Sequence, residues 1–322
     1  MKTNRKRLIS SLIIILLIIF SQACLAQEAH YTFKKIHTIE FKKDLQAVNI
    51  LLNNSNGFVK ICGWDKPECR AEIYYKIPEA SREKAQALAG EKTRVKFHMG
   101  RLIISPEELF DYYDGKADFF RKYSPSVSVL IYLPKKIKYD IICDTSNGNM
   151  NAKDIICSQI NLNTSNGNIG FDNVQSEKIA AETSNGYVLL NNVNADFIRA
   201  DTSNGNIEFK GEARVAKLNT SNADIAAHIL SCRGESVYKL DTSSGKIDIS
   251  VPRNKDVGVF VKASTSVSKA EAEIEDFVVL NKEYYLKDQT LLEGETKNFS
   301  EAKNKIIIKA WTSAGKIKIV SK

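Results

Sequence analysis

The sequence predicts an all-β protein, a parallel β-helix (β-solenoid) of ~19-residue coils with elaborated N- and C-terminal caps and one short helix. Three observations carry this. Thr-Ser-Asn-Gly begins at Thr145, Thr164, Thr183 and Thr202, three successive intervals of 19 residues. Apolar residues alternate on both sides of each copy, as in strands with one buried face. Identical residues recur at identical places, so stacked coils would put Thr on Thr and Asn on Asn in continuous ladders. A hairpin meander also fits two strands and two corners per unit, but the ladders favour the coil. Degraded copies start at Thr220, Thr242 and Thr312, and Asn54-Ser55-Asn56-Gly57 is an outlying early one.

The chain is read in order as follows. Lys2, Arg5, Lys6 and Arg7 precede an apolar run from Leu8 to Phe20, too short to span a bilayer comfortably. Residues 1–26 therefore read as a signal peptide cleaved before Gln27, with a lipoprotein acceptor at Cys24 as the alternative. Residues 27–134 read as a β-rich N-terminal cap. Within it Val48, Ile50, Leu52, Val59 and Ile61 repeat the strand pattern around the early corner. Pro78, in a first-turn position, and Gly90, just past the end, predict a helix over 78–89. Strands resume at 94–104 and 126–134.

Residues 135–250 form the repeats. Inward positions before the Thr run Ile141/Cys143, Ile160/Leu162, Ile179/Ala181 and Ile198/Ala200. After it stand Met150/Ala152, Ile169/Phe171, Val188/Leu190 and Ile207/Phe209. The corner glycines are Gly57, Gly148, Gly167, Gly186, Gly205, Gly245 and Gly315, and Ser-Asn-Gly suits a corner because these residues tolerate positive φ. A second corner falls near Asn173-Val174 and Asn192-Val193. Residues 251–322 add further strands, a charged loop around 287–303 and the final copy. Six coils at ~4.8 Å each would make a rod on the order of 25–30 Å long.

The Thr-Ser-Asn-Gly-Asn-Ile repeats, the Gly63-Trp64-Asp65-Lys66-Pro67-Glu68 stretch and the closing Thr312-Ser313-Ala314-Gly315-Lys316-Ile317 resemble a bacterial family of putative adhesins. Its β-strand-repeat domain has no assigned function and is similar to the head domain of autotransporter adhesins. The resemblance runs from about residue 45 to the C-terminus and implies an exported β-solenoid without a defined activity. Ala223 in place of a corner Gly, Cys69 in a strand and the long 251–310 segment depart from the pattern.

Composition restricts the chemistry. Removing the four basic residues of the signal leaves 42 Lys and Arg against 38 acids, and the Lys34/Lys35, Lys42/Lys43 and Lys135/Lys136 pairs stand outside any nucleic-acid motif. No nucleic-acid partner, cofactor or metal is expected, since His30, His37, His98 and His228 are scattered and no His-Glu-x-x-His or Cys-x-x-Cys occurs. A Gly-x-Ser-x-Gly elbow is likewise missing. The residue before each Thr is Asp144, Asn163, Glu182, Asp201, Asn219 or Asp241, a polar column along one edge. Such a column could serve a carbohydrate-active enzyme, or it could simply face water. Cys62 and Cys69 bracket one turn and could form a disulfide in an exported protein. Phe110, Tyr112, Tyr113, Phe119, Phe120 and Tyr123 form either a cap over the first coil or an exposed patch. If the protein is a binder, Tyr112, Tyr113, Phe119 and Phe120 are the expected contacts. The overall expectation is a non-catalytic binding or scaffolding protein at the cell envelope, its partner a protein or a glycan.

Overall fold

The structure, a computed structural model, describes residues 30–41, 45–114, 124–285 and 289–322. The signal segment, with Cys24, lies outside these, as do Phe119, Phe120 and Tyr123. In the N-terminal part, β1 (His30–Glu40), β2 (Ala47–Asn53), β3 (Val59–Trp64) and β4 (Glu68–Pro78) lead into α1 (Arg82–Lys92). Then come β5 (Arg94–His98), β6 (Arg101–Ser105), α2 (Glu107–Asp114) and β7 (Ser126–Pro134).

The repeats form β8 (Lys138–Thr145), β9 (Met150–Thr164), β10 (Ile169–Thr183), β11 (Val188–Thr202), β12 (Ile207–Thr220), β13 (Ile225–Ile229), β14 (Glu235–Thr242) and β15 (Ile247–Val251). The chain ends in β16 (Val257–Thr265), β17 (Ala270–Glu273), β18 (Phe277–Tyr285), β19 (Gln289–Thr296), β20 (Asn304–Thr312) and β21 (Ile317–Ser321).

The repeats stack as parallel coils. Strand β10 pairs in parallel with β9 on one side and β11 on the other, with Thr183 facing Thr164 and Thr202. The same register continues through β12 to β14. Beyond Thr242 the order in space leaves the order in sequence. The final copy on β20 pairs with β14, and the earlier β16 lies outside it, so Thr312 sits between Thr242 and Thr265. Thr265-Ser266 is therefore one more degraded corner, which the loss of Asn and Gly concealed in the sequence.

Each coil has three inward-facing runs, one more than the two strands expected. In β9 the buried residues are Met150/Ala152, then Ile155/Cys157, then Ile160/Leu162/Thr164, so the alternation changes phase twice. The first change coincides with Asp154, whose φ is 54°. Asn173 and Asn192 occupy the equivalent places at 56° and 51°. Positive φ is thus a property of this second corner, where Asp and Asn tolerate the left-handed region.

The Thr-Ser-Asn-Gly corner uses glycine for a different reason. Of the seven corner glycines only Gly57 has positive φ. A Cβ on Gly186 would lie 1.9 Å from the Gly167 carbonyl oxygen, and one on Gly205 1.8 Å from that of Gly186. Close stacking of corner on corner leaves little room for a side chain at these glycines, although Ala223 fills the equivalent place in its own coil.

Two caps close the rod. At the N-terminal end β1 pairs antiparallel with β4, which pairs antiparallel with β7, and the β5–β6 hairpin extends the other side through β2. The helix expected over 78–89 is displaced: Pro78 ends β4, Ser81 caps the helix through a bond from the Lys84 amide, and the helix runs through Gly90 to Lys92. Its buried Ala85, Leu88 and Ala89 join the core, as do Leu109, Phe110 and Tyr113 of α2. At the other end β19 and β18 add antiparallel to β16. Among the described residues no helix is long and apolar enough to cross a membrane.

The corner stacking makes a direct prediction. Gly186→Ala is expected to lower stability by about 1–3 kcal/mol through overpacking, read as a lower denaturant midpoint. An unchanged midpoint would show that the corner relaxes freely.

Candidate functional site

The corners build a groove along the flank of the rod. Each Thr turns its hydroxyl into the coil beneath: Thr183 Oγ1 donates to the Gly167 carbonyl at 2.9 Å and Thr202 Oγ1 to that of Gly186 at 2.9 Å. The Asn side chains form a ladder outside the Thr. Asn166 donates to Asn147 Oδ1 at 2.8 Å, Asn185 to Asn166 at 2.7 Å and Asn204 to Asn185 at 2.8 Å. With Thr and Asn engaged, the Ser hydroxyls and the residue before each Thr remain to face solvent.

That preceding residue forms the polar column, and the registers align it as Asp144, Asn163, Glu182, Asp201, Asn219 and Asp241. The structure extends it to Trp311 and then Ser264. Together with the Ser residues the column lines an open groove of about 930 Å³. Trp311 is half-buried and ends the run of acids and amides. Sequence reading missed it because the final copy is far from Thr242 in the chain.

The column is tied together internally. Asn163 donates to Asp144 at 2.8 Å and Asn219 to Asp201 at 2.6 Å. Two carboxylates occupy adjacent positions only at Glu182 and Asp201, and Arg199 bonds Asp201 and lies 3.5 Å from Glu182. Asp241 is the acid of the column whose pKa is raised, by partial loss of solvent at the groove wall although the residue stays exposed, and its column neighbours are Asn219 and Trp311. Retaining glycoside hydrolysis uses two neighbouring carboxyl groups about 5–5.5 Å apart whose pKa values are driven apart by their surroundings. Here the adjacent carboxylates share a cation and the perturbed one has no carboxylate beside it. Among the described residues no cluster of His, Cys, Asp and Glu is arranged to hold a metal ion.

The aromatic cluster divides. Tyr113 is buried, and its hydroxyl donates to the Pro78 carbonyl at 3.0 Å and lies 3.2 Å from Glu79. Tyr112 is partly buried and packs edge-on against Tyr113 at 5.2 Å. Tyr113 is therefore a cap residue and not a contact residue, because α2 turns it into the gap above the first coils. Phe119 and Phe120 lie outside the described residues.

The expected Cys62–Cys69 disulfide is also corrected, since both are free thiols. Strand β7 inserts between β3 and β4, with Cys62 opposite Tyr132 and Arg70 opposite the same Tyr132. Cys62 faces partly outward whereas Cys69 points into the core, where burial pushes its thiol up to about 12. The turn between them is too wide to join them because a third strand fills it. Burial likewise raises Cys157 and Cys232 to about 11, so these thiols remain protonated near neutral pH.

A family model, Toastrack DUF4097, matches residues 94–319, and the chain belongs to that family. Among solved structures, a putative cell adhesion protein from Clostridium sporogenes is 14% identical, covering 91% of this chain and 100% of its own, at a TM-score of 0.33. A putative adhesin from Bacteroides fragilis is 12% identical, covering 91% and 98%, at 0.36. A putative lipid binding protein from Parabacteroides distasonis is 16% identical, covering 67% and 89%, at 0.38. A comparison with curated proteins found no match.

The raised Asp241 carboxyl gives a pH prediction. A carboxyl raised by folding contributes stability that is fully present below its unfolded pKa, about 3.9, and is lost as pH rises through the higher folded value. Asp241→Asn is thus expected to be slightly more stable than the wild type at pH 7, the effect being small for an exposed group, and to lose that advantage near pH 3. Equal melting temperatures at both values would refute the burial effect.

Proposed function

We propose that this chain is an exported, non-catalytic binding protein of the cell envelope or its exterior, which holds an extended glycan along the corner groove. The observation that carries the proposal is the groove itself. Hydroxyl, carboxylate and amide groups repeat along it at one strand spacing, ~4.8 Å, and the half-buried Trp311 follows the last acid, before Ser264. Sugar hydroxyls both donate and accept hydrogen bonds, so a row of Ser, Asn and Asp presents matching partners. The flat apolar face of an indole suits the C–H face of a sugar ring. The internal hydrogen bonds of the column hold these groups in place before a ligand arrives, which lowers the cost of ordering on binding.

The bridged carboxylates and the isolated Asp241 favour binding over hydrolysis. Export rests on the basic and apolar segments of residues 1–26. Mass spectrometry of the exported protein is expected to find Gln27 first, and an acylated Cys24 would replace that expectation with a lipid anchor.

The chain has two tryptophans, and Trp64 is held by a bond from its indole to the Glu68 carbonyl and by stacking on Tyr132. Oligosaccharide titration is expected to change Trp311 emission, and Trp311→Ala to weaken binding about tenfold, or 1.4 kcal/mol. No reducing ends should be released. Full affinity in Trp311→Ala would remove the groove as the site, and released reducing ends that disappear in Asp241→Asn would establish the enzyme instead.

A further inference from the structure

A second row runs beside the groove, three residues before each Thr. The registers align Arg199, Lys217, Lys239, Lys309 and Lys262 on β11, β12, β14, β20 and β16, five cations on five neighbouring strands. In the sequence they are scattered, and the last two stand in reverse order. Like charges one strand spacing apart, ~4.8 Å, repel, so such a row is unfavourable for the fold alone.

The ends of the row are compensated. Arg199 bonds Asp201, Lys262 lies 3.3 Å from Glu293, and Lys217 sits 5.6 Å from the centre of the Phe197 ring. Its middle is not. Among the described residues Lys239 and Lys309 make no ion pair, although they are in register with one another. The acids of the groove column give out at the same level, where Asp241 is followed by Trp311 and Ser264. Uncompensated positive charge is therefore concentrated over β14 and β20, next to the indole.

We infer that this face recognises an acidic polysaccharide whose sugars carry carboxylates, an inference that deepens the glycan reading of the groove and rests on it. Charge complementarity selects an anion. A straight row with one ammonium per coil selects a linear polymer with regularly spaced single charges, since an extended sugar chain advances by about one strand spacing per residue. An anionic membrane fits less well. The outward apolar row beside the cations, Phe197, Val215, Val237, Ile307 and Phe260, is half-buried within the sheet and offers no protruding wedge for a bilayer.

The test uses the mature chain, polygalacturonate oligomers and neutral cello-oligosaccharides of equal length, with affinity read by calorimetry. The acidic oligomer is expected to bind at least tenfold more tightly at low salt, with the advantage shrinking as salt rises. Lys239→Glu with Lys309→Glu should reduce its binding at least tenfold without lowering the unfolding midpoint, while Lys210→Glu on another face of the coil leaves binding unchanged. Equal affinity for both oligomers, or an unaffected double variant, overturns the inference and leaves the groove standing. Failure of the wild type to bind either oligomer overturns both readings. Binding to phosphatidylglycerol vesicles that needs Lys239 and Lys309 and is not displaced by polygalacturonate would assign the face to a membrane and overturn the inference.

Discussion

Each coil of this protein must set its Thr hydroxyl beneath a backbone carbonyl of the neighbouring corner, and the remaining architecture follows from that bond. Eight threonines do this, from Thr145 on the Ser55 carbonyl to Thr265 on that of Gly315. One such bond contributes only about 0.5–1.5 kcal/mol net. Repeated in line, however, the bonds define a single register, because a slip of one residue would turn every inward side chain outward and strand each buried Thr. The same register brings corner against corner so closely that glycine fills most of these places and alanine one of them, at Ala223.

Register in turn makes surface chemistry one-dimensional. A residue type recurring at a fixed offset from Thr becomes a row, whatever the distance between copies along the chain. The Asn ladder, the acid–amide column and the cation row are three such products. The first mainly serves cohesion, since its amides are consumed by one another. The second keeps Ser hydroxyls and Trp311 open to solvent. The third concentrates charge that the fold leaves unpaired at its centre. A rod of this kind keeps the spacing of its rows fixed at that of the coils.

The ends solve another problem. A stack of parallel coils terminates in unpaired backbone groups and an open apolar core. Antiparallel strands cover these edges, β1 and β4 with β7 at one end, β19 and β18 at the other. Helix α2 fills the remaining gap with Leu109, Phe110 and Tyr113. The outermost strand β18 nevertheless leaves Val278, Val279 and Leu280 exposed. The cost of capping explains why aromatic density near residue 110 signals packing at Phe110 and Tyr113.

From the sequence alone the coil, its 19-residue period, the inward residues and the polar column were legible, because local alternation and repeated corners are written in consecutive residues. Tertiary pairing decided the rest. It placed Thr312 between Thr242 and Thr265, and so brought Trp311 into the column beside Asp241 and Lys309 beside Lys239. It inserted β7 between Cys62 and Cys69, and it assigned positive φ to Asp154, Asn173 and Asn192 while leaving the later corner glycines their role in close contact. The physical reason is common to all of these. Parallel strands bond to whichever strand presents the matching register, and that partner need not be the next one in the chain.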